Sequence, residues 1–260
     1  MAEKIFGKKV GKEVQAGDLV IAPIDCAMGQ DGTTPLAIQS FEEMNAQSVF
    51  DPRKIFFVID HNAPSPMESV SRLHDRMRAF AQKFGIQIFD VGEGVCHELM
   101  VARGLVVPGD LVIGADSHTC TYGALGAFST GVGSTELAVA MASGKLWFKV
   151  PETIRINLQG KLPEGVFSKD AILFIAARLG ADGANYKAIE FHGPVIEDLE
   201  VEERFTISNM AVEVGAKAGL MLPDQKVVSW VKKRSKRAFE LVFPDADAHY
   251  GAILDLDCSS

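Results

Sequence analysis

Cysteine is scarce in this chain: four occur in 260 residues, at 26, 96, 120 and 258, and no two are spaced as CxxC. So few and so dispersed, they cannot staple a chain of this length as a disulfide framework. Nor do they spell a recognisable zinc or iron–sulfur ligand motif. Long apolar runs are missing too, none approaching the ~20 residues that span a bilayer. No charged segment followed by an apolar one opens the chain, so the expectation is a soluble, cytoplasmic protein. Positive charge is in deficit, 26 Lys and Arg against 34 Asp and Glu, a net charge of −8 and a pI near 5.3. That balance repels phosphate backbones and anionic membrane surfaces. The exception, Lys232-Lys233-Arg234-Ser235-Lys236-Arg237, has no aromatic residue interleaved and reads as a solvated helix face. Neither nucleic acid nor membrane is expected as a partner.

What is present suits a layered globular protein. The chain is 47% hydrophobic with a mean hydropathy of +0.12, and its 16 Phe and Val/Ile/Leu runs suit strands buried on both faces. The length is enough for two ordinary domains and excludes intrinsic disorder as a description.

Strands are expected at 18–24, 54–59, 85–90 and 109–115, with helices at 36–44, 65–84, 97–103 and 134–145 between or after them. In the helix over 65–84, Val70, Leu73, Met77 and Phe80 recur at 3-4 spacing. Strand alternating with helix predicts an α/β class of three-layer α/β/α units with largely parallel sheets. Pro151 marks a seam between a unit over 1–152 and a second over 153–260. The second should hold strands at 154–158 and 188–191 and helices at 168–179 and from about 206. The last 15 or so residues read as loop or as a strand awaiting its partner.

Polar residues at the carboxyl ends of apolar strands are where open α/β sheets place their ligands. Asp60-His61 follows the second predicted strand and Asp116-Ser117-His118 follows a later one, so two acid–imidazole tips should face one cleft. An acid beside an imidazole sets its tautomer or raises its pKa, which suits general acid catalysis or carboxylate binding. His97-Glu98 opens a helix, where free N–H groups favour an anion. Gln30 with Asp31 stands in a loop after the first strand, where the amide can bind a carboxylate or hydroxyl oxygen, or the Asp-Gly pair can simply make a turn. Asn209 and Glu213 are four apart and would share one face of a helix. Such a set suits dehydration and rehydration of a hydroxy di- or tricarboxylate, which needs a base for a carbon-bound proton and an acid for the departing hydroxide. Acids and imidazoles at strand tips also build dinuclear metal sites, so Asp60, His61, His97, Asp116 and His118 equally allow a metal-dependent hydrolase. A non-enzymatic binding module is a further alternative.

The motifs run in order: Gly29-Gln30-Asp31-Gly32-Thr33-Thr34-Pro35, Asp60-His61-Asn62, Gly94-Val95-Cys96-His97-Glu98, Gly114-Ala115-Asp116-Ser117-His118-Thr119, and Asn209-Met210-Ala211-Val212-Glu213-Val214-Gly215-Ala216. This series resembles the aconitase and isopropylmalate isomerase family of iron–sulfur hydro-lyases, in the large-subunit, archaeal-type branch shared with homoaconitase. The resemblance spans essentially the whole chain. It implies conversion of 2-isopropylmalate to 3-isopropylmalate in leucine biosynthesis, with homoaconitate or 2,3-dimethylmalate as alternative substrates, and a separate small subunit as partner. It further implies that Gln30 contacts substrate and that Asp60, His61 and His97 form the acid/base shell around the departing hydroxyl. By the same resemblance Asp116, Ser117 and His118 orient substrate and its solvent, Asn209 and Glu213 adjoin a [4Fe–4S] cluster, and the Glu213 carboxylate handles protons at bound water. The family's cluster cysteines, one in a Gly-Ser-Cys-Thr-Asn loop and two in a later Cys-x-x-Cys, match nothing here, and Cys258 fits neither motif. The expectation is a portion of a large subunit, inactive alone, that exposes an apolar docking face and self-associates.

Overall fold

Alternation along short apolar strands builds the central layer. In the computed structural model, which describes residues 1–259, helix α1 (Ala2–Val10) and strand β1 (Leu19–Pro23) lead into β2 (Cys26–Gln30), which is buried throughout. Then follow α2 (Thr34–Glu43), a 3-10 turn (Pro52–Lys54), β3 (Ile55–Val58), α3 (Glu68–Phe84), β4 (Gln87–Phe89), α4 (Cys96–Ala102) and β5 (Leu111–Gly114). A nine-residue 3-10 segment (Ser117–Leu125), β6 (Phe128–Gly131), α5 (Ser134–Ser143) and β7 (Lys145–Lys149) complete this part.

Strands β2 to β6 form one parallel sheet in the order β4-β3-β2-β5-β6. Successive side chains point to opposite faces. Ala27, Ile55, Phe57 and Ile113 therefore join one apolar core, with residues of α1, α2, α3 and α5, while Met28, Phe56, Val58 and Val112 join another. That second core continues into the rest of the chain, through Ile154, Ile156, Ile189 and Phe191.

The rest comprises β8 (Thr153–Gln159), α6 (Ser168–Leu179), β9 (Ala188–His192), α7 (Pro194–Asp198), α8 (Val201–Asn209), a 3-10 turn (Met210–Val214), β10 (Ala218–Met221), α9 (Gln225–Lys232) and β11 (Ala252–Asp257). Its four strands pair in parallel in the order β10-β9-β8-β11. The chain is thus α/β, with parallel sheets flanked by helices. No helix among the described residues is long and apolar enough to cross a membrane.

Several expectations need correction. The run over 18–24 is not a central buried strand: β1 alternates exposed and buried residues and pairs antiparallel with β7 as a two-stranded ribbon. The central strand runs from Cys26 to Gln30, past the end of the expected strand and into what reads as a loop, because Met28-Gly29-Gln30 carries little of the β-branched signature of a strand. Strand β6 is hidden in the glycine-rich segment for the same reason. Helix α5 stops at Ser143, since Gly144 takes the left-handed conformation (φ 70) and β7 starts at Lys145. Helix α8 begins at Val201, not near Thr206, with the Glu203 carboxylate accepting from the backbone N–H of Glu200 at 2.9 Å. The terminal strand has its partner, β8. On α3 the buried stripe holds His74, Met77, Phe80 and Ala81, while Leu73 is exposed. The basic run is solvated but is not a helix face: Lys232, Lys233, Arg234, Lys236 and Arg237 are exposed, α9 ends at Lys232, Arg234 stacks on Trp230, and Arg237 grips Asp110 through two bonds of 2.9 and 3.0 Å.

Candidate active site

In the five-stranded sheet the chain leaves β2 for β3 on one side and later returns to β5 on the other. The carboxyl ends of β2 and β5 therefore flank the point where strand order reverses, the place where α/β sheets open a crevice. Three neighbouring strands deliver polar residues there: Gln30-Asp31 from β2, Asp60-His61 after β3, and Asp116-Ser117-His118 after β5.

Asp116 is the centre. One oxygen accepts from the backbone N–H of His118 (2.8 Å), starting the 3-10 segment, and lies 2.9 Å from His97 Nε2; the other lies 3.3 Å from His61 Nε2 and 3.5 Å from the Gln30 amide. Burial pushes its pKa up, but the hydrogen bond and charge of His97, the His118 N–H and the charge of His61 outweigh burial and hold the carboxyl well below the usual range.

His61 lies between two carboxylates, with Nδ1 2.8 Å from Asp60 Oδ1 and Nε2 3.3 Å from Asp116 Oδ2. Nδ1 therefore donates to Asp60 and carries a proton, while Nε2 faces the Asp116 carboxylate. Burial works against the charged form of the ring, yet the hydrogen bond it donates to Asp60 and the charges of Asp60, Asp116 and Asp31 raise its pKa above the ordinary value. Asp60 is held in turn by the backbone N–H of Cys96 at 2.6 Å, at the start of α4.

His97 faces Asp116 through Nε2, which therefore carries a proton, and its Nδ1 lies 3.2 Å from the Tyr122 hydroxyl. Tyr122 is fully buried, and burial pushes its pKa well up, so it stays a donor to that nitrogen. His118 is more open: Nε2 lies 3.2 Å from Glu213 and Nδ1 3.3 Å from the Ser117 hydroxyl. Asn209 and Glu213 do not share a helical face. Asn209 ends α8 and donates to Thr121 Oγ1 at 2.8 Å, while Glu213 stands in the 3-10 turn that follows. Both nonetheless touch the segment that carries His118.

The structure thus brings together Gln30, Asp60, His61, His97, Asp116, Ser117, His118, Asn209 and Glu213. Gln30 is largely occupied internally, its amide oxygen accepting from the backbone of Gly32 and its nitrogen facing Asp116. A cleft of about 670 Å³ runs past Gln30, Asp116 and Ser117, leaving the histidines outside its lining.

Asp31, Tyr122 and His74 also belong to the site's framework. Buried Asp31 accepts from the backbone N–H groups of Asp60 (3.0 Å), His61 (2.7 Å) and Asn62 (2.9 Å) and from the Asn62 amide (3.1 Å), with His74 Nε2 at 3.2 Å. A polar His74 on the apolar stripe of α3 is the one sequence signal that points to this partner. Burial raises the Asp31 pKa, but the N–H groups of His61, Asp60 and Asn62 prevail and lower it to about 2.

As metal ligands, only Asp60, His61 and Cys96 bring donor atoms within 4.8 Å of one another among the described residues. His97, Asp116 and His118 do not join them. Burial, then the Asp60 charge, pushes the Cys96 thiol far up, which disfavours the thiolate a metal needs.

Comparison with known protein families gives a match over nearly the whole chain: the aconitase family (aconitate hydratase) matches residues 3–260. The chain belongs to the aconitase family. It is 50% identical over 260 residues to the 3-isopropylmalate dehydratase large subunit 1 of Methanopyrus kandleri, covering 100% of this chain and 62% of that protein. The large subunit 1 of Thermotoga maritima is 51% identical over 261 residues, again 62% of its length, and the large subunit of Aquifex aeolicus is 47% identical over 261 residues, 60% of its length. The chain therefore spans about three fifths of the curated relatives it matches.

A [4Fe–4S] cluster goes with dehydratases of this family in general. The thiols here do not fit one. Cys26, Cys96, Cys120 and Cys258 are all buried, none lines the cleft, and no three come together among the described residues. Burial raises the pKa of each, that of Cys120 to about 12.

Proposed function

We propose that this chain provides the proton-handling part of a hydro-lyase centre that isomerises a hydroxy acid by dehydration and rehydration, 2-isopropylmalate to 3-isopropylmalate in leucine biosynthesis. In this reading it works with a small subunit, and the [4Fe–4S] cluster draws its ligands from the length of the large-subunit relatives that these residues do not match. The observation that carries the reading is the His61 ring held between Asp60 and Asp116, beside His97 on the same Asp116 carboxylate.

Dehydration breaks a C–H bond, whose proton passes to a base outside these residues and whose electron pair becomes the new double bond, and a neighbouring C–O bond, releasing hydroxide that takes up a proton to depart as water. His61 is the group with a proton to give, and Asp60 and Asp116 stabilise its charged form before the reaction. His97, locked between Tyr122 and Asp116, supports that charge pattern. Ser117 and His118 are the open members and orient substrate and its solvent, with Gln30 at the cleft wall. Glu213, paired with His118 and beside Asn209, takes the proton exchanged with water, and rehydration reverses these transfers with the hydroxyl on the neighbouring carbon.

The test is a hybrid in which these 260 residues replace the matching part of the Thermotoga maritima large subunit, paired with its small subunit. Turnover of 2-isopropylmalate is expected, followed by the ultraviolet absorbance of the unsaturated acid, and Asp116→Asn or His61→Gln should lower kcat by about 10²–10⁴-fold. A hybrid whose variants keep more than half the activity sinks the assignment. Faster turnover of homoaconitate or 2,3-dimethylmalate moves the substrate but not the chemistry.

A further inference from the structure

The acid/base residues account for only one end of the cleft. Gln30, Asp116 and Ser117 stand there, and Trp147, Lys149, Tyr186 and Lys217 line it elsewhere. Alternation along β7 buries Leu146 and Phe148 and leaves Trp147 and Lys149 outward, with Trp147 59% exposed. Tyr186 comes from the turn before β9, and Lys217 from the residue that leads into β10.

Tyr186 has φ 58, a left-handed backbone that a bulky aromatic residue rarely adopts. Such an outlier is kept only where the surroundings over-determine it. Here the Tyr186 N–H donates to Gly215 O (3.1 Å), the Lys187 N–H to Ala184 O (2.9 Å) and the Lys217 N–H to Lys187 O (2.7 Å). The result puts one ring beneath two ammonium groups, Lys149 Nζ at 5.9 Å and Lys217 Nζ at 5.1 Å from its centroid. The ring face attracts each cation. Neither has a carboxylate within ion-pair distance among the described residues, unlike neighbouring Lys187, which lies 3.8 Å from Glu152. Two cations beside one ring and lacking a counter-ion make the surroundings of that ring positive, which favours an anion there.

We propose that Lys149, Lys217 and Tyr186 form a docking site for small di- or tricarboxylate anions, separate from the acid/base residues and opening on the same cleft. The choice of carboxylates rests on the hydro-lyase reading; the presence of an anion site does not. The site has a clear electrostatic purpose. Asp116 and Glu136 also line the cleft, so an anionic ligand meets an adverse field there unless cations offset it.

The experiment is calorimetric titration of the full chain with malate, acetate and sulfate at several salt concentrations. Malate should bind at least 10-fold more tightly than acetate or sulfate, with affinity falling as salt rises. The double variant Lys149→Gln/Lys217→Gln should weaken malate about 10-fold and flatten the salt dependence, while Tyr186→Phe, which keeps the ring, and Lys187→Gln should stay within 2-fold of the parent. Malate binding unchanged in the double variant overturns the site. An equal loss in Lys187→Gln reduces it to bulk charge, and sulfate binding as tight as malate removes the assignment to carboxylates. Circular dichroism on each variant separates lost binding from lost folding. Binding is read here without turnover, so failure of this site leaves the hybrid assay standing, and failure of the hybrid leaves the titration interpretable.

Discussion

A carboxylate buried beneath a loop can organise it by accepting what the backbone must otherwise leave unpaired. Asp31 does this for the Asp60-His61-Asn62 tip, taking three backbone N–H groups and one side-chain amide. Asn at that position keeps the shape but has one acceptor oxygen, so Asp31→Asn should destabilise the chain by about 3 kcal/mol, measured by urea unfolding. The pH dependence follows from the lowered pKa. Because Asp31 ionises near 2 when folded against 3.8 ordinarily, its charged form stabilises the fold at and above the ordinary value. This contribution, roughly 2 kcal/mol, fades as pH falls from about 4 through about 2, and the parent should lose it there while Asp31→Asn does not. At this scale Asp60, His61, Asp116, Ser117 and His118 are legible in the sequence because they end apolar strands. Asp31 reads equally well as turn chemistry, and Tyr122 carries no local signal, because its partner His97 is 25 residues away and meets it only in the fold.

At the level of elements, the 3-10 segment Ser117–Leu125 joins the two sheets. Ser208 on α8 donates to Cys120 O (2.8 Å) or to Gly219 O (2.6 Å), and the segment packs directly against β10. A Cβ on Gly123 would lie 2.0 Å from Gly219 O, a backbone atom that cannot swing aside. Gly123→Ala should therefore cost about 3 kcal/mol or more by forcing two backbones apart, read as a fall in the denaturation midpoint. In the hybrid it should also depress kcat, because His118 rides on the same segment. The sequence marks Ser117-His118 at the start of this stretch but gives no sign of what Gly123 packs against. Which backbone each glycine admits is a long-range fact.

For the whole molecule, the ribbon of β1 and β7 places Leu19 and Ile21 outward, 73% and 70% exposed, with Ile21 directly opposite Trp147. A contiguous apolar patch on one ribbon face tends to find another apolar surface. Leu19→Ser with Ile21→Ser should lower concentration-dependent association in sedimentation velocity, with little change in stability, since neither side chain is in a core. These exposed apolar residues lie on a ribbon that reads in the sequence as a buried strand. Its composition misleads because half of its apolar residues face outward.

The sequence by itself determined the α/β class, the parallel alternation of strand and helix, and the strand-tip position of Asp60-His61 and Asp116-Ser117-His118, because these follow from periodicity and from apolar runs ending in polar residues. The tertiary structure decided which tips are neighbours, since β2 enters the sheet between β3 and β5 and brings Gln30 and Asp31 between the two acid–imidazole pairs. It also decided that His61 lies between two carboxylates, that Asn209 ends a helix while Glu213 stands in the turn after it, and that Lys149 and Lys217 both lie against one ring. Charge states and convergent sites depend on distances between residues far apart in the chain, and those distances exist only once the sheets have packed.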